Sequence, residues 1–249
     1  MLKIIINFIK LPLKDYLFHR KYKFKFRYLL GGYIYRIFLI LFLSFILKIS
    51  ITKIILSYDK GLIETMNYFY EKIKNINYFK YGMMSPLNLE ILYLIIKVIK
   101  PNIVVETGIG SGSSSLFILA ALDRGKLYSI DLPPHVSEEH FCPKNLKIGW
   151  LVPTNFKKKW SITFGDSKVI LPELLAKLGS IDVFFHDSLH TYEHMMFEFK
   201  TAWKYLRQPK IIISDDINAN NAFYNFAKST ASRYIIIGQR MGILFKKQV

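Results

Sequence analysis

Apolar residues follow two different spacings along residues 61–249. Short, continuously apolar runs such as 103–105 and 211–213 predict buried strands, and longer segments with apolar residues at helical spacing predict helices. Strands are predicted at 103–106, 126–131, 161–164, 181–185, 210–214, 233–237 and 242–246. Helices are predicted at 61–80, 87–99, 113–122, 169–178, 192–206 and 222–228. Because the two types alternate and the strands are apolar, we predict the α/β class: a seven-stranded, mostly parallel sheet with a closing antiparallel strand and helices on both faces.

Three segments divide the chain. Residues 101–249 would form the sheet domain, with a loop-rich insert at 133–160 that holds four prolines, and residues 61–100 would form a helical lead-in. Residues 1–60 differ in charge, because they hold twelve Lys or Arg against two Asp or Glu, a net charge of +10. The other 189 residues carry only +7. This asymmetry predicts that the first segment has an anionic partner.

The pattern within residues 1–60 favours a membrane surface as that partner. Bases and aromatic rings alternate at 21–28, and eleven uncharged, mostly apolar residues follow at 37–47. A helix of that length covers about 16 Å, roughly half of a hydrocarbon core, and a longer one would include Arg36. We therefore expect an embedded or interfacial anchor on the inner face of an anionic membrane, with the rest of the protein in the cytoplasm. The single cysteine, Cys142, fits a reducing compartment.

Two other interpretations of this segment stay open. The apolar stretch could be a helix that packs on the sheet domain or on a second copy of the chain. Nucleic acid is the weaker alternative, although a stripe of alternating bases and rings can bind single strands.

The most informative motif follows the first strand of the predicted sheet. That strand ends at Glu106, and Gly108, Gly110 and Gly112 stand at alternate positions before Ser114 opens an apolar helix. Glycines allow a tight turn and the close approach of a ligand to the backbone. A helix start offers unpaired N–H groups to a carboxylate or phosphate. The turn therefore predicts a site for a nucleotide-like cofactor.

The other parallel strands also end in acids. Their ends carry Asp131, Asp166 with Ser167, Asp187, and Asp215 with Asp216. Ligands of parallel sheets bind beyond these strand ends. Asp131 follows the glycines by about twenty residues, a spacing that places a carboxylate on ribose hydroxyls. This spacing alone does not separate a hydride-transfer cofactor from other ribose-containing cofactors.

Three further features of the sequence distinguish between these cofactors. An acid precedes the first glycine, the third sheet strand ends in Gly-Asp-Ser, and two strands at the C-terminus form an antiparallel pair. Together they resemble class I methyltransferases, which have a Rossmann-like sheet and use S-adenosylmethionine, over a region from about Met83 onward. The block HDSLHTYEHMMFE at 186–198 resembles macrocin-type and cephalosporin-cluster methyltransferases, and more distantly catechol-type O-methyltransferases.

The resemblance implies roles for the residues on the cofactor side. Glu106 and the three glycines would shape the pocket for the methionine part of the cofactor, and Ser114 would hold its carboxylate. Asp131 would bind the ribose. Asp166 and Ser167 would flank the adenine.

The resemblance also implies roles on the acceptor side. Asp187, Asp215 and Asp216 would hold Mg²⁺, which prefers oxygen ligands and would lower the pKa of an acceptor hydroxyl. His190 stands where catechol-type relatives carry a lysine base, and histidine accepts a proton near neutral pH. Asp187 and His190 are thus the expected catalytic residues.

We therefore predict an S-adenosylmethionine-dependent O-methyltransferase that is assisted by Mg²⁺. Its acceptor would be a hydroxyl group on a small molecule, a glycan or a lipid-linked compound. Three alternatives stay open: a metal-independent N- or C-methyltransferase, a non-catalytic membrane-tethered binding module, and an NAD(P)-dependent oxidoreductase.

Overall fold

A computed structural model describes most of the chain. It covers residues 49–237 and 240–245, together with the helical positions 34, 36–38, 40, 41, 44 and 45. The predicted base–aromatic stretch at 21–28 lies outside the described residues. Within the described part, no helix combines the length and apolar character needed to cross a bilayer.

The strands form one seven-stranded sheet, as predicted. They are β1 (Ile103–Thr107), β2 (Lys126–Asp131), β3 (Trp160–Phe164), β4 (Ile181–His186), β5 (Leu206–Ser214), β6 (Arg233–Ile237) and β7 (Met241–Phe245). Their spatial order is β3-β2-β1-β4-β5-β7-β6. The first five strands are parallel, and β7 pairs antiparallel with both β5 and β6. The predicted α/β class, with its closing antiparallel strand, is confirmed.

The strand order of the sheet reverses between β1 and β4. The chain passes from β1 to β2 and β3 on one side, and then returns to place β4 and β5 on the other side. In the β1–β4 pair, Thr107 lies opposite His186, so the ends of these two strands are level. Such a switch point leaves a crevice beyond the strand ends, where ligands of open α/β sheets bind.

Within residues 49–245, eight described α-helices accompany the sheet. They are α1 (Ile51–Leu56), α2 (Lys60–Ile73), α3 (Pro86–Ile99), α4 (Ser113–Ala121), α5 (Pro134–Phe141), α6 (Ser167–Leu178), α7 (Tyr192–Tyr205) and α8 (Ala222–Ser229). Seven of them contribute to two buried apolar clusters, one with α1, α2, α3 and α4 and the other with α6, α7 and α8. Because eleven of the fourteen residues of α3 are buried, this helix belongs to the core of the domain.

The structure differs from the predicted pattern in two places. The predicted helix 61–80 ends at Ile73, and the insert that we expected to be loop-rich contains α5 and a short 3₁₀ helix, Thr154–Lys159. The insert is also bonded to the glycine turn, because the N–H of Gly149 donates to the carbonyl of Gly110 at 2.9 Å. The prolines in the sequence indicated the insert. Its hydrogen bonds to the distant glycine turn were not predicted, because they produce no local sequence pattern.

Candidate active site

The glycine turn follows β1 at the switch point. Gly108, Gly110 and Gly112 have φ angles of 85°, 48° and 83°, a region that favours glycine. A Cβ atom at Gly108 would lie 1.9 Å from the carbonyl oxygen of Asp187. The turn after β1 is therefore packed directly against the chain that leaves β4, and only glycine fits at the contact.

Glu106 lies beneath this turn and is fully buried. Its two carboxylate oxygens accept hydrogen bonds from the hydroxyls of Ser114, Ser115 and Ser129, each at 2.6 Å. Burial raises the pKa of Glu106 to about 7, against the lowering effect of the three serines. Glu106 thus joins the end of β1 to the start of α4 and to β2. The roles predicted for Glu106 and Ser114 toward a cofactor stay predictions.

Asp131 holds the turn from the end of β2. Its Oδ2 accepts from the backbone N–H groups of Ile109 and Gly110 at 2.9 and 2.8 Å. Its Oδ1 accepts from the N–H of Leu132 at 2.7 Å. The sequence spacing located Asp131, but it did not indicate that this carboxylate supports the glycine turn. Its predicted contact with ribose stays a prediction.

The two residues assigned to an adenine lie at the start of α6. Asp166 caps that helix, since its Oδ1 accepts from the N–H of Lys168 at 2.8 Å. Ser167 is buried and donates its hydroxyl to Glu198 at 2.5 Å. The structure brings the backbone of both residues to the same sheet edge as Asp131, with the N–H of Gly165 donating to the carbonyl of Asp131 at 2.8 Å.

Glu198 on α7 is the centre of a buried polar cluster. Five side chains contact its carboxylate: Thr107 and His186 at Oε2, both at 2.6 Å, and Ser167, His194 and Ser188 at Oε1, at 2.5, 2.9 and 3.0 Å. Burial by itself would raise the pKa of Glu198, but the charge and hydrogen bond of His186, with those of its neighbours, hold it well below its usual range. From the sequence, Glu198 is expected to pack or to make a buried hydrogen bond, and it does the latter.

The predicted acceptor side, beyond β4 and β5, includes three acids. Burial raises the pKa of Asp187 well above its ordinary value, and repulsion from Asp215 and Asp216 adds to this increase. Burial and the charge of Asp216 raise the pKa of Asp215 to about 7. The buried Oδ1 of Asp215 has no hydrogen-bond partner among the described residues. Mutual repulsion between these acids therefore favours a bound proton or a cation in their site.

His190 lies between the acids. Its Nε2 is 3.8 Å from Asp187 Oδ1, and its Nδ1 is 3.9 Å from Asp216 Oδ2. Burial, with the neighbouring His186, lowers the pKa of His190 to about 4. The ring is therefore neutral at pH 7, and its buried Nε2 makes no hydrogen bond within the described structure.

Arg240 is a residue of this site that the sequence did not indicate. It lies between β6 and β7, and its Nε donates to Asp216 Oδ1 at 2.6 Å. The predicted magnesium ligands interact electrostatically, but the described residues include no group of three His, Cys, Asp or Glu arranged to hold a metal ion. Arg240 had no sequence signal, since the turn that carries it meets Asp216 only after the closing strands pair.

Comparison with known proteins gives similarities to methyltransferases. Residues 105–217 match a family model described as a methyltransferase domain. The fold is similar to a candidate caffeoyl-CoA O-methyltransferase from Staphylococcus aureus, with a TM-score of 0.55 and 14% identity over 74% of this chain and 92% of that one. The S-adenosylhomocysteine-bound methyltransferase PaMTH1 of Podospora anserina gives a TM-score of 0.54 and 15% identity over 76% and 89% of the two chains.

A methyltransferase from Geobacter sulfurreducens is also similar, with a TM-score of 0.52 and 16% identity over 76% of this chain and 90% of that one. No curated protein matches the sequence significantly. The matched region contains the glycine turn and the acids that follow β4 and β5. The chain therefore has the Rossmann-like fold of methyltransferases, and residues 105–217 match the model of a methyltransferase domain.

Proposed function

We propose that this protein transfers a methyl group from S-adenosylmethionine to a hydroxyl oxygen. The observation that carries the proposal is the contact between the two sides of the crevice. Gly108 packs on the backbone of Asp187, so the glycine turn and the residues around His190 belong to one site. S-adenosylmethionine supplies, when bound, an electrophilic methyl group on a sulfonium centre.

The donor would bind along the ends of β1, β2 and β3. Three positive-φ glycines leave the backbone open to close approach, and Asp131 fixes the turn from below. In our proposal the glycine turn borders the methionine part, with the ribose near Asp131 and the adenine near Asp166. Support comes from the match of residues 105–217 to a methyltransferase domain and from the S-adenosylhomocysteine that PaMTH1 holds in a similar fold.

His190 would accept the proton of the acceptor hydroxyl as the hydroxyl oxygen bonds to the methyl carbon, while the carbon–sulfur bond breaks and S-adenosylhomocysteine leaves. The pKa of about 4 keeps the imidazole neutral at pH 7, with Nε2 able to receive a proton. Asp187, 3.8 Å from that nitrogen, would stabilise the imidazolium that forms. Alignment of the acceptor oxygen with the sulfonium would supply much of the rate.

A magnesium ion remains part of the proposal. Asp187, Asp215 and Asp216 would hold it, because carboxylates are its preferred ligands and Asp215 Oδ1 has no hydrogen-bond partner in the described chain. Its chemistry would be to lower the pKa of the acceptor hydroxyl. The ion pair between Arg240 and Asp216 favours a second candidate, metal-independent transfer, since the guanidinium already compensates one of the three acids.

The function is tested by incubating the full chain with methyl-labelled S-adenosylmethionine and fractions of a cell extract. We expect label in an acceptor fraction, and the label should survive mild base, because a methyl ether resists base hydrolysis whereas a methyl ester does not. Loss of transfer in a chelator, with recovery on Mg²⁺ addition, would support the magnesium role. Transfer that survives chelation would support the metal-independent candidate.

Two results would contradict the proposal. Binding of the donor with no label transferred to any fraction would favour a non-catalytic binding module. Binding of a nicotinamide cofactor in place of S-adenosylmethionine would favour an oxidoreductase. The proposal leaves the acceptor among small molecules, glycans and lipid-linked compounds, so fractions of all three classes are assayed.

A further inference from the structure

The ring of His190 is not fixed by hydrogen bonds to the acids beside it. Its Nε2 lies 3.8 Å from Asp187 Oδ1 and its Nδ1 lies 3.9 Å from Asp216 Oδ2, and both distances exceed those of an N–H···O hydrogen bond. The ring of His186 packs at 81° to it, with centroids 5.3 Å apart. This packing restrains the ring, but the position of His190 in the crevice must also depend on its backbone.

The backbone of His190 is bound by Asn220, which lies in the loop between β5 and α8. Nδ2 of Asn220 donates to the carbonyl oxygen of His190 at 3.1 Å and lies 3.3 Å from Sδ of Met195 on α7. Oδ1 of Asn220 accepts from the N–H of Ala222 at 2.8 Å. Because a carbonyl only accepts and a backbone N–H only donates, these two bonds define which end of the amide faces His190.

The loop that carries Asn220 is itself held in place. The N–H of Ala219 donates to the carbonyl of Asp216 at 2.9 Å, and the N–H of Ile217 donates to the carbonyl of Arg240 at 2.9 Å. The side chain of Asn220 is half-buried. Asn220 therefore connects a fixed loop after β5, which begins with two acids of the crevice, to the loop after β4 that carries His190.

We propose that Asn220 is a positioning residue for His190. Its amide holds the carbonyl of His190 and thereby sets where the imidazole lies relative to Asp216. Asn220 does not touch the reacting atoms, and it acts through the backbone of His190. The proposal rests on the proposed role of His190 as the base, so its test includes a measurement that needs no methyl transfer.

Asn220→Ser separates the bond to His190 from the support of α8. A serine hydroxyl can still accept from the N–H two residues further on, but it has no amide to donate to His190. We expect kcat to fall about 10- to 100-fold, because small displacements of a catalytic group are costly. The dissociation constant of S-adenosylmethionine and the urea midpoint of unfolding should change little. Steady-state kinetics, calorimetry and urea titration measure these quantities.

Asn225→Ala is the matched control. Asn225 is also an asparagine near the start of α8, and its Nδ2 donates to the hydroxyl of Tyr192 on α7 at 3.3 Å. It therefore removes a bond between the same two helices without touching the backbone of His190. Its kcat should equal that of the unmodified chain. Equal losses of kcat in Asn220→Ser and Asn225→Ala would overturn the proposal, because they would show a general loosening of α8.

A double-mutant cycle tests whether Asn220 acts through His190. In a chain that already carries His190→Ala, Asn220→Ser should lower kcat no further, since the group that it positions is gone. A further tenfold fall would assign Asn220 to another group and overturn the proposal. Asn220→Asp replaces the serine variant if the latter is unstable, because a carboxylate still accepts from the N–H of Ala222 but cannot donate to His190.

Nuclear magnetic resonance tests the same contact without any turnover. The chain has six histidines, so labelling of histidine Cε1 gives a simple spectrum in which His190→Ala identifies the signal of His190. This signal should move or broaden in Asn220→Ser and stay in place in Asn225→Ala. An unchanged signal in Asn220→Ser would overturn the proposal. A changed signal in a protein that transfers no methyl group would support the positioning contact and contradict only the proposed function.

Discussion

The two sides of the crevice differ in how completely their polar groups are satisfied. On the donor side, three serine hydroxyls bind the buried carboxylate of Glu106, and backbone N–H groups bind both oxygens of Asp131. On the acceptor side, His190 Nε2 and Asp215 Oδ1 are buried, and neither has a hydrogen-bond partner within the described residues. Buried polar atoms in folded proteins are nearly always paired. The unpaired ones therefore mark where a substrate, proton or ion would act.

The two sides therefore have different proposed roles: the donor side supports the glycine turn, and the acceptor side would carry the acid–base chemistry. Donor-side acids are held by hydrogen bonds, and burial in the core raises the pKa of Glu106. On the acceptor side, burial and then mutual repulsion among acids of the crevice raise the pKa of Asp187 and Asp215. Groups with strongly shifted pKa values in a crevice are candidates for acid–base chemistry. The contact of Gly108 with Asp187 joins the two sides, so changes on each side should have distinct and measurable effects.

The largest effect is expected where the two sides touch. Gly108→Ala would place a Cβ atom 1.9 Å from the carbonyl oxygen of Asp187, so the two strand ends must separate. We expect a loss of about 3 kcal/mol or more in the free energy of unfolding, measured by denaturant titration. Gly179→Ala is the control, since its φ is +70° but a Cβ there meets nothing within 4 Å. It should lose only about 1–2 kcal/mol, and an equal loss in both would disprove the contact.

Asp187→Asn should lower turnover without changing the binding of S-adenosylmethionine. The side chain of Asp187 faces His190, while only its backbone meets the glycine turn. We expect kcat to fall about 100-fold or more with the dissociation constant of S-adenosylmethionine nearly unchanged. Steady-state kinetics and calorimetry measure the two quantities. A variant that loses donor affinity but keeps kcat would place this carboxylate on the donor side.

His190→Ala tests the base on the acceptor side. Removal of a general base should lower kcat about 100-fold, again with little change in donor affinity. Added imidazole should restore part of the activity, which a merely structural histidine would not allow. Unchanged turnover in the variant would remove His190 from the mechanism.

A smaller effect should appear in the pH dependence of stability. Glu106 has a folded-state pKa of about 7 against an ordinary 4.5, so the folded protein holds this proton more tightly. Its contribution to stability is therefore full at low pH and is lost as the pH rises through that window. Between pH 5 and 7 the wild type should lose about 2–3 kcal/mol through this group, and Glu106→Gln should lose none of it.

The matched control for this prediction is Glu198→Gln. Glu198 is equally buried, but its pKa is lowered by His186 and its other partners, so its stabilisation is present at neutral pH and is lost as the pH falls through the acid range. Urea unfolding at several pH values should show slopes of opposite sign for the two glutamates. Slopes of the same sign would contradict the assignment.

The sequence predicted the sheet well because its signals are local. Continuous apolar runs marked each strand, and the acid at each strand end pointed to the edge where ligands bind. What it missed depends on contacts between distant segments. Arg240 reaches Asp216 only across the closing strands, and Arg36 finds Glu90 across 54 positions of sequence. The hydrogen bonds of Asp131 were missed for the same reason, although its position was recognised.

Calorimetric titration with S-adenosylhomocysteine tests the central claim most directly. We expect one binding site per chain and an affinity at least about tenfold weaker in Asp131→Ala, because loss of this carboxylate would remove the proposed ribose contacts and free the glycine turn. NAD should give no heat of binding. If S-adenosylmethionine and S-adenosylhomocysteine both give no heat, the donor-side assignment and the proposed methyl transfer are wrong.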